Sequence, residues 1–185
     1  MNERSLATLP PGLPAPVDDG AAAHLTGMRL PPVALVATDG GAVELATIPG
    51  TVVVFAYPRT GRPGEPSLVE DWDAIPGARG CTPHTCGYRD LHAEFAALGA
   101  RVFGLSTQTP AYQREMVERL KVPFPVLSDA DLALTAALRL PTMEVAGQTL
   151  LKRVAWIARD GVIARVFYPV FPPDRNAAEV LAALR

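Results

Sequence analysis

The sequence is short of most features that would tie it to a polymer or a membrane. Its 17 lysines and arginines stand against 19 acidic residues, a formal net charge of −2, so no basic excess is available to neutralise phosphates. Aromatic residues make up only 6% of the chain, too few for a row of stacking platforms along a single strand. Nucleic acid is therefore not an expected partner. No apolar run approaches the roughly 20 residues needed to cross a bilayer, so no membrane association is expected. Met1 to Pro16 lacks the basic start and long apolar stretch of an export signal, and a cytoplasmic location is the expectation. Cysteine is scarcer still: the chain has two, Cys81 and Cys86. That excludes a disulfide framework and a four-cysteine zinc site.

What is present is enough apolar material for one core. Hydrophobic residues are 49% of 185, which argues against disorder of the whole chain. Residues 1–30, rich in Pro, Ala and Gly with a turn at Asp18-Asp19-Gly20, read as a partly flexible N-terminal tail on the surface. From residue 31 the pattern becomes that of a folded domain running to 185. Val33 to Ala37 and Val43 to Ile48 flank Asp39-Gly40-Gly41 and predict a hairpin. Thr51 to Tyr57 is β-branched and apolar throughout, as in a central strand buried on both faces. Residues 59–80, carrying Pro63, Pro66, Pro76 and four glycines, predict a long inserted loop.

A helix is predicted from Thr82, with Tyr88, Leu91, Phe95 and Leu98 on one apolar stripe and Gly99 ending it. A strand over Arg101 to Ser106, a helix over Pro110 to Leu120, a strand over Pro125 to Leu127 and a helix capped by Ser128-Asp129 follow. Leu150 to Ala158 and Val162 to Phe167 flank Asp160-Gly161, a second hairpin, and a last helix starts at Asp174. Strands alternating with helices give a partly parallel sheet, to which the late hairpin adds antiparallel strands.

The chemistry is concentrated in Gly80-Cys81-Thr82-Pro83-His84-Thr85-Cys86-Gly87-Tyr88-Arg89-Asp90. Cys81 falls at the opening of a helix, where unpaired N–H groups and the positive end of the dipole favour an anion and so the reactive thiolate form of a cysteine. Cys86 lies five residues on. In an α-helix that is a rise of roughly 7.5 Å and about 140° past a full turn. A disulfide needs Cα atoms within about 7 Å, so the pair can bond only if the helix opens. The spacing differs from that of reductases with two residues between their cysteines. Two other readings stay open on these residues alone: two small buried hydrophobes, or Cys81, His84 and Cys86 as three metal ligands lacking a fourth.

The stretch from Pro31 onward resembles peroxiredoxins, and most closely the peroxiredoxin Q group, also called bacterioferritin comigratory proteins. The matching pieces are Val52-Val53-Val54-Phe55-Ala56-Tyr57-Pro58, Gly80-Cys81-Thr82, Cys86-Gly87-Tyr88-Arg89-Asp90, Val102-Phe103-Gly104-Leu105-Ser106, Phe124-Pro125-Val126-Leu127-Ser128-Asp129, and Lys152-Arg153-Val154 ahead of Asp160-Gly161. The resemblance implies an α/β, thioredoxin-like fold of peroxiredoxin type, with an N-terminal β-hairpin and a central mixed sheet flanked by helices. It implies a peroxidatic Cys81, a resolving Cys86, and Arg153 as the guanidinium that stabilises the thiolate and the peroxide. It further implies reduction of hydrogen peroxide or organic hydroperoxides, recycling by thioredoxin or glutaredoxin, no cofactor or metal, and a monomer or weak homodimer. A peroxide-sensing thiol switch on the same fold, acting through a protein partner with little turnover, is the alternative.

The sequence departs from the family pattern before Cys81. The usual proline and threonine, seven and three residues ahead of the peroxidatic cysteine, are here Ala74 and Ala78. Pro58 then takes the place of that proline, and Thr60 is the candidate replacement for the lost hydroxyl. Pro58, Tyr57 and Phe55 are candidate walls of a peroxide pocket. Trp72 in the loop is a candidate for exposure or for docking a partner. His84 stands where many members carry Glu or Gln, and a histidine on a helix surface is its ordinary reading.

Overall fold

The computed structural model describes residues 6–185, so the first five residues of the expected tail lie outside the described residues. Among the described residues a seven-stranded sheet has the order β2-β1-β5-β4-β3-β8-β9. The strands are β1 (Ala34–Ala37), β2 (Ala42–Glu44), β3 (Thr51–Ala56), β4 (Ala100–Ser106), β5 (Val126–Ser128), β8 (Val154–Arg159) and β9 (Val162–Phe167). A separate ribbon pairs β6 (Thr142–Val145) with β7 (Gln148–Leu151). The helices are α1 (Cys81–Asp90), α2 (His92–Ala97), α3 (Pro110–Leu120), α4 (Ala133–Leu138) and α5 (Asn176–Ala182). This is the mixed α/β architecture implied by the family resemblance: β3, β4 and β5 are parallel, and β1, β8 and β9 add antiparallel partners.

β3 is central because its apolar residues serve both faces. Val52, Val54 and Ala56 enter one core, with Leu35, Leu105 and Trp156. Val53, Phe55 and Tyr57 enter the other, with Tyr88, Phe95 and Met116. Alternation with period two puts consecutive side chains on opposite faces, so a strand buried on both sides must be apolar at every position. Each such side chain contributes about 1.5–3 kcal/mol of burial. The strand leads into Pro58 and the loop, at the carboxyl end of the parallel strands, where open α/β sheets place their sites.

Several expectations need correction. The single helix predicted from Thr82 to Leu98 is two helices, broken at Leu91, whose backbone leaves the helical region (φ −100°, ψ 10°). The stripe is real at Tyr88 and Phe95, both buried, but Leu98 is largely exposed. The predicted strand from Leu150 to Ala158 is divided at Lys152-Arg153: its first part belongs to the β6–β7 ribbon and its second to the main sheet. The ribbon turns at Ala146-Gly147, both with positive φ. Residues 6–30 are more than a surface tail. Ala22, Leu25 and Leu30 are buried in the first core, and Gly27 and Leu30 donate backbone hydrogen bonds to Ile163 and Gly161.

The inserted loop is also packed. Trp72 is not exposed: with Ala78 it joins Val145 and Leu150 of the ribbon in a third apolar cluster. Loop and ribbon thus cover each other's apolar faces. The loop ends at Gly80, which has φ 108° and is the N-cap of α1. A Cβ there would sit 2.5 Å from Pro173 Cγ and 2.8 Å from Leu9 Cδ2. Gly80→Ala therefore combines backbone strain with a steric clash, and we expect a loss of about 1–3 kcal/mol of stability. Denaturant unfolding of the variant beside the wild type measures it, and equal midpoints would contradict the packing described.

Candidate functional site

Cys81 is the first residue of α1 and is only 4% exposed. It meets Arg153 because the chain leaves β7 at Leu151 and does not rejoin the sheet until Val154. In that gap Arg153 turns inward instead of lying on a strand edge facing water, and it is 3% exposed. Its Nη2 donates at 3.3 Å to Cys81 Sγ and at the same distance to the carbonyls of Gly77, Ala78 and Arg79. The last turn of the inserted loop therefore wraps the guanidinium. Ala78, at the position of the missing threonine, contributes its carbonyl and no hydroxyl.

His84 is fully buried, one turn into α1, and its expected surface position is corrected. Arg153 Nη1 lies 3.0 Å from His84 Nδ1, and His84 Nε2 lies 3.0 Å from Asn176 Oδ1. A guanidinium has no acceptor, so Nδ1 must be the unprotonated nitrogen and Nε2–H donates to Asn176. The Tyr88 hydroxyl donates to the same oxygen at 2.6 Å. Burial first, and the charge of Arg153 second, hold His84 well below the usual histidine range. It is thus a neutral acceptor for Arg153. With both ring nitrogens engaged, it presents no free atom to a metal. Among the described residues no group of three or more His, Cys, Asp or Glu is arranged to hold one.

Arg153 makes no ion pair with a carboxylate among the described residues. Its partners are three carbonyls, a neutral imidazole and one sulfur. A buried cation needs a counter-charge or full hydrogen bonding. The only atom in this set able to become an anion is Cys81 Sγ.

Cys86 lies in the same intact helix, half-buried and free, as is Cys81. Burial pushes its thiol up, against the partly offsetting charge of Arg89. Helix geometry holds the two sulfurs apart as the spacing predicted.

The cavity beside Cys81 is lined by Thr60, Arg59, Arg62, Trp72 and Tyr112 among others. Thr60 shares this cavity, but its hydroxyl donates to Gln108 Oε1 at 3.1 Å. Pro58, Tyr57 and Phe55 are buried and do not line it. Phe55 stacks on Tyr88, with ring centroids 4.1 Å apart and planes 6° apart, as a core residue. The Tyr57 hydroxyl donates to Gln113 Oε1, and burial drives its ionisation well above the ordinary range. Sequence reasoning passed over Asn176 and the three loop carbonyls. The departure from Glu or Gln at residue 84 was the one signal of this network.

The histidine gives a measurable consequence. Its folded-state affinity for a proton is depressed, so below about pH 6.5 the unfolded chain binds a proton that the folded chain does not. Stability from this residue is present above that pH and is lost as pH falls, by about 1.4 kcal/mol per pH unit. Unfolding free energies measured between pH 4.5 and 6 should show a slope smaller by one proton in His84→Gln; an unchanged slope would remove His84 from the buried network.

Comparison with known proteins agrees with this geometry. The Redoxin family model matches residues 25–184. Chloroplastic peroxiredoxin Q of Oryza sativa subsp. japonica is 28% identical over 160 residues, covering 86% of this chain and 66% of the relative, just under two thirds of its length. The crystal structure of peroxidoxin BcpB from Mycobacterium tuberculosis superposes with TM-score 0.70 at 28% identity, covering 86% of this chain and 96% of that one. Xanthomonas campestris peroxiredoxin Q, at 23% identity and TM-score 0.65, covers 82% of this chain and 89% of its own, and shares the fold. The inward guanidinium on a helix-opening cysteine, together with these matches, places the chain in the Redoxin family, among the peroxiredoxins of the peroxiredoxin Q and bacterioferritin comigratory protein group.

Proposed function

We propose that the chain is a thiol peroxidase that reduces hydrogen peroxide or organic hydroperoxides at Cys81 and is recycled through a Cys81–Cys86 disulfide. The observation that carries this is the 3.3 Å contact between Arg153 Nη2 and Cys81 Sγ at the edge of a cavity. The Cys81 thiolate attacks the terminal oxygen of the peroxide. The S–O bond forms as the O–O bond breaks, and water or an alcohol leaves after protonation. Arg153 serves both ends of this step: it balances the thiolate beforehand and meets charge moving onto the leaving oxygen.

The second step needs movement. Cys86 reaches the sulfenic acid only when the first turns of α1 unwind. Unwinding also removes the burial that holds the Cys86 thiol in its protonated form. Its thiolate then attacks the Cys81 sulfur, water is expelled and the disulfide closes. A dithiol protein such as thioredoxin or glutaredoxin reduces it by exchange. No cofactor enters these steps. Thr60 lines the cavity and keeps its hydroxyl on Gln108 in the resting state; exchange of that bond would let it donate to a bound peroxide.

Peroxide consumption coupled to a thioredoxin system tests the cycle. Cys81→Ser should be inactive. Cys86→Ser should stop after one turnover at a sulfenic acid that a 1,3-diketone reagent traps. Arg153→Ala should slow the single-turnover oxidation of Cys81 by roughly 100-fold, the usual cost of removing one preorganised charge stabiliser. Normal cycling of Cys86→Ser would defeat the resolving role. Slow stoichiometric oxidation of the wild type, with capture of a protein partner, would favour the thiol switch.

A further inference from the structure

Residues 6–19 run along the inserted loop and touch it near both ends. A Cβ at Gly61, close to the start of the loop, would sit 3.3 Å from Leu6 Cδ2. One at Gly77, whose carbonyl accepts from Arg153, would sit 3.5 Å from Pro16 Cγ. One at Gly80, the N-cap of α1, would sit 2.8 Å from Leu9 Cδ2. Leu6 is 7% exposed and lines the cavity beside Cys81. Further on, Asp19 Oδ2 accepts from Lys152 Nζ at 2.6 Å and Asp19 Oδ1 from the Tyr168 hydroxyl at 2.7 Å. Lys152 is the residue before Arg153. The segment therefore follows the cavity wall, the helix start, the loop carbonyls and the stretch that carries the guanidinium.

Gly80 is enclosed between two walls, Leu9 and Pro173. Pro173 is buried and opens the 3-10 turn Pro173–Arg175, which continues into α5. Ala177, Val180 and Leu181 of α5 belong to the second core, so that wall moves only if the core does. Leu9 is half-buried and belongs to neither helix nor strand. Its segment is rooted in the first core only from Ala22 onward. Between the two, the Asp19–Lys152 pair is exposed on both sides, a kind of contact that contributes little and exchanges readily. Segments with few buried contacts open at lower free energy than core elements. Of the two walls around Gly80, Leu9 is the one that yields.

We propose that residues 6–19 form a strap that holds the first turn of α1 folded, and that its release sets how fast Cys86 reaches oxidised Cys81. This rests on the disulfide cycle proposed above. With the strap in place Gly80 stays at φ 108° and the helix stays intact, so the Cys81 sulfenic acid waits. When Leu9 lifts from Gly80, the N-cap gains room to change conformation and the first turn unwinds. The Cys86 thiolate then attacks the Cys81 sulfur: the S–S bond forms, the S–O bond breaks, and hydroxide leaves as water after protonation. Leu9 is a positioning residue, acting through Gly80 from outside the cavity lining.

Rapid-quench oxidation with excess hydrogen peroxide, read by thiol alkylation and mass spectrometry, separates loss of the Cys81 thiol from closure of the disulfide. In Leu9→Ala the rate constant of the first step should match the wild type, while disulfide closure should be faster by roughly tenfold. Leu9→Met, which keeps the contact, should restore the wild-type closure rate. Hydrogen exchange of the reduced proteins gives a second measure. Peptides covering residues 81–86 should exchange faster in Leu9→Ala, and those covering β3 should not change. Equal closure rates in Leu9→Ala and wild type overturn the strap, as does faster exchange in β3, which marks a general loss of stability. If the wild type oxidises Cys81 and never closes the disulfide, the proposed cycle itself falls; closure at a rate indifferent to Leu9 overturns only the strap.

Discussion

A positive charge sealed inside the protein without a carboxylate is the constraint around which the site is arranged. Arg153 is held by the carbonyls of Gly77, Ala78 and Arg79, by a neutral His84 and by the sulfur of Cys81. The partners come from two stretches of chain, the end of the inserted loop and the start of α1, and Asn176 at the start of α5 holds His84 from behind. Carbonyl dipoles and an imidazole solvate a guanidinium without cancelling its charge, so its field still reaches the sulfur it touches. A carboxylate at position 84 would neutralise part of that field. The neutral ring braces the cation and leaves its charge to the sulfur.

The same helix that presents Cys81 also withholds Cys86. The first turns of α1 are buried almost completely, from Cys81 to Thr85, and Gly87 lets the helix approach Ala177 and Asp174 closely: a Cβ there would sit 3.3 Å from Ala177 Cβ and from the Asp174 carbonyl oxygen. Such packing stabilises the intact helix that presents Cys81. It opposes the unwinding that a disulfide requires, because unwinding forfeits the burial of His84 and Tyr88 and the bond to Asn176. In the proposed cycle two effects favour opening once Cys81 is oxidised. A neutral sulfenic acid is a weaker counterpart for Arg153 than a thiolate, so the contact that anchors the helix start loses strength. And Cys86, held protonated by burial, regains its ordinary acidity in water.

Much of this was legible in the sequence, and the limits are physical. The β-branched run of β3 can only be a doubly buried strand, and the Asp160-Gly161 turn can only join neighbours, so the sheet's frame followed from local pattern. The motifs around Cys81 and Arg153 pointed to two side chains that the structure brings into contact. The break at Lys152-Arg153 was not legible, since Leu150-Leu151 and Val154 to Ala158 are apolar on either side of it and no glycine or proline marks it. His84 looked like a surface residue because helical periodicity marks one buried stripe, whereas the start of α1 is enclosed on several sides. Leu25 and Leu30 lay hidden in a Pro- and Ala-rich stretch with no periodicity of its own, and the backbone pairing of Gly27 and Met28 with Ile163, and of Leu30 with Gly161, depends on a hairpin far along the chain.

The loop from residue 59 to 80 holds its last residues against Arg153 by backbone alone. At Ala78 the hydroxyl is gone, yet the backbone there still points its carbonyl at Arg153. Holding that backbone in place takes cohesion that a loop rich in proline and glycine lacks by itself. Trp72 supplies it by packing on Val145 and Leu150, which ties the loop to the β6–β7 ribbon, and the ribbon runs directly into the segment that carries Arg153. Loop and guanidinium are therefore parts of one packed unit. The same packed unit brings Arg59, Arg62 and Arg79 to the lining of the cavity beside Cys81.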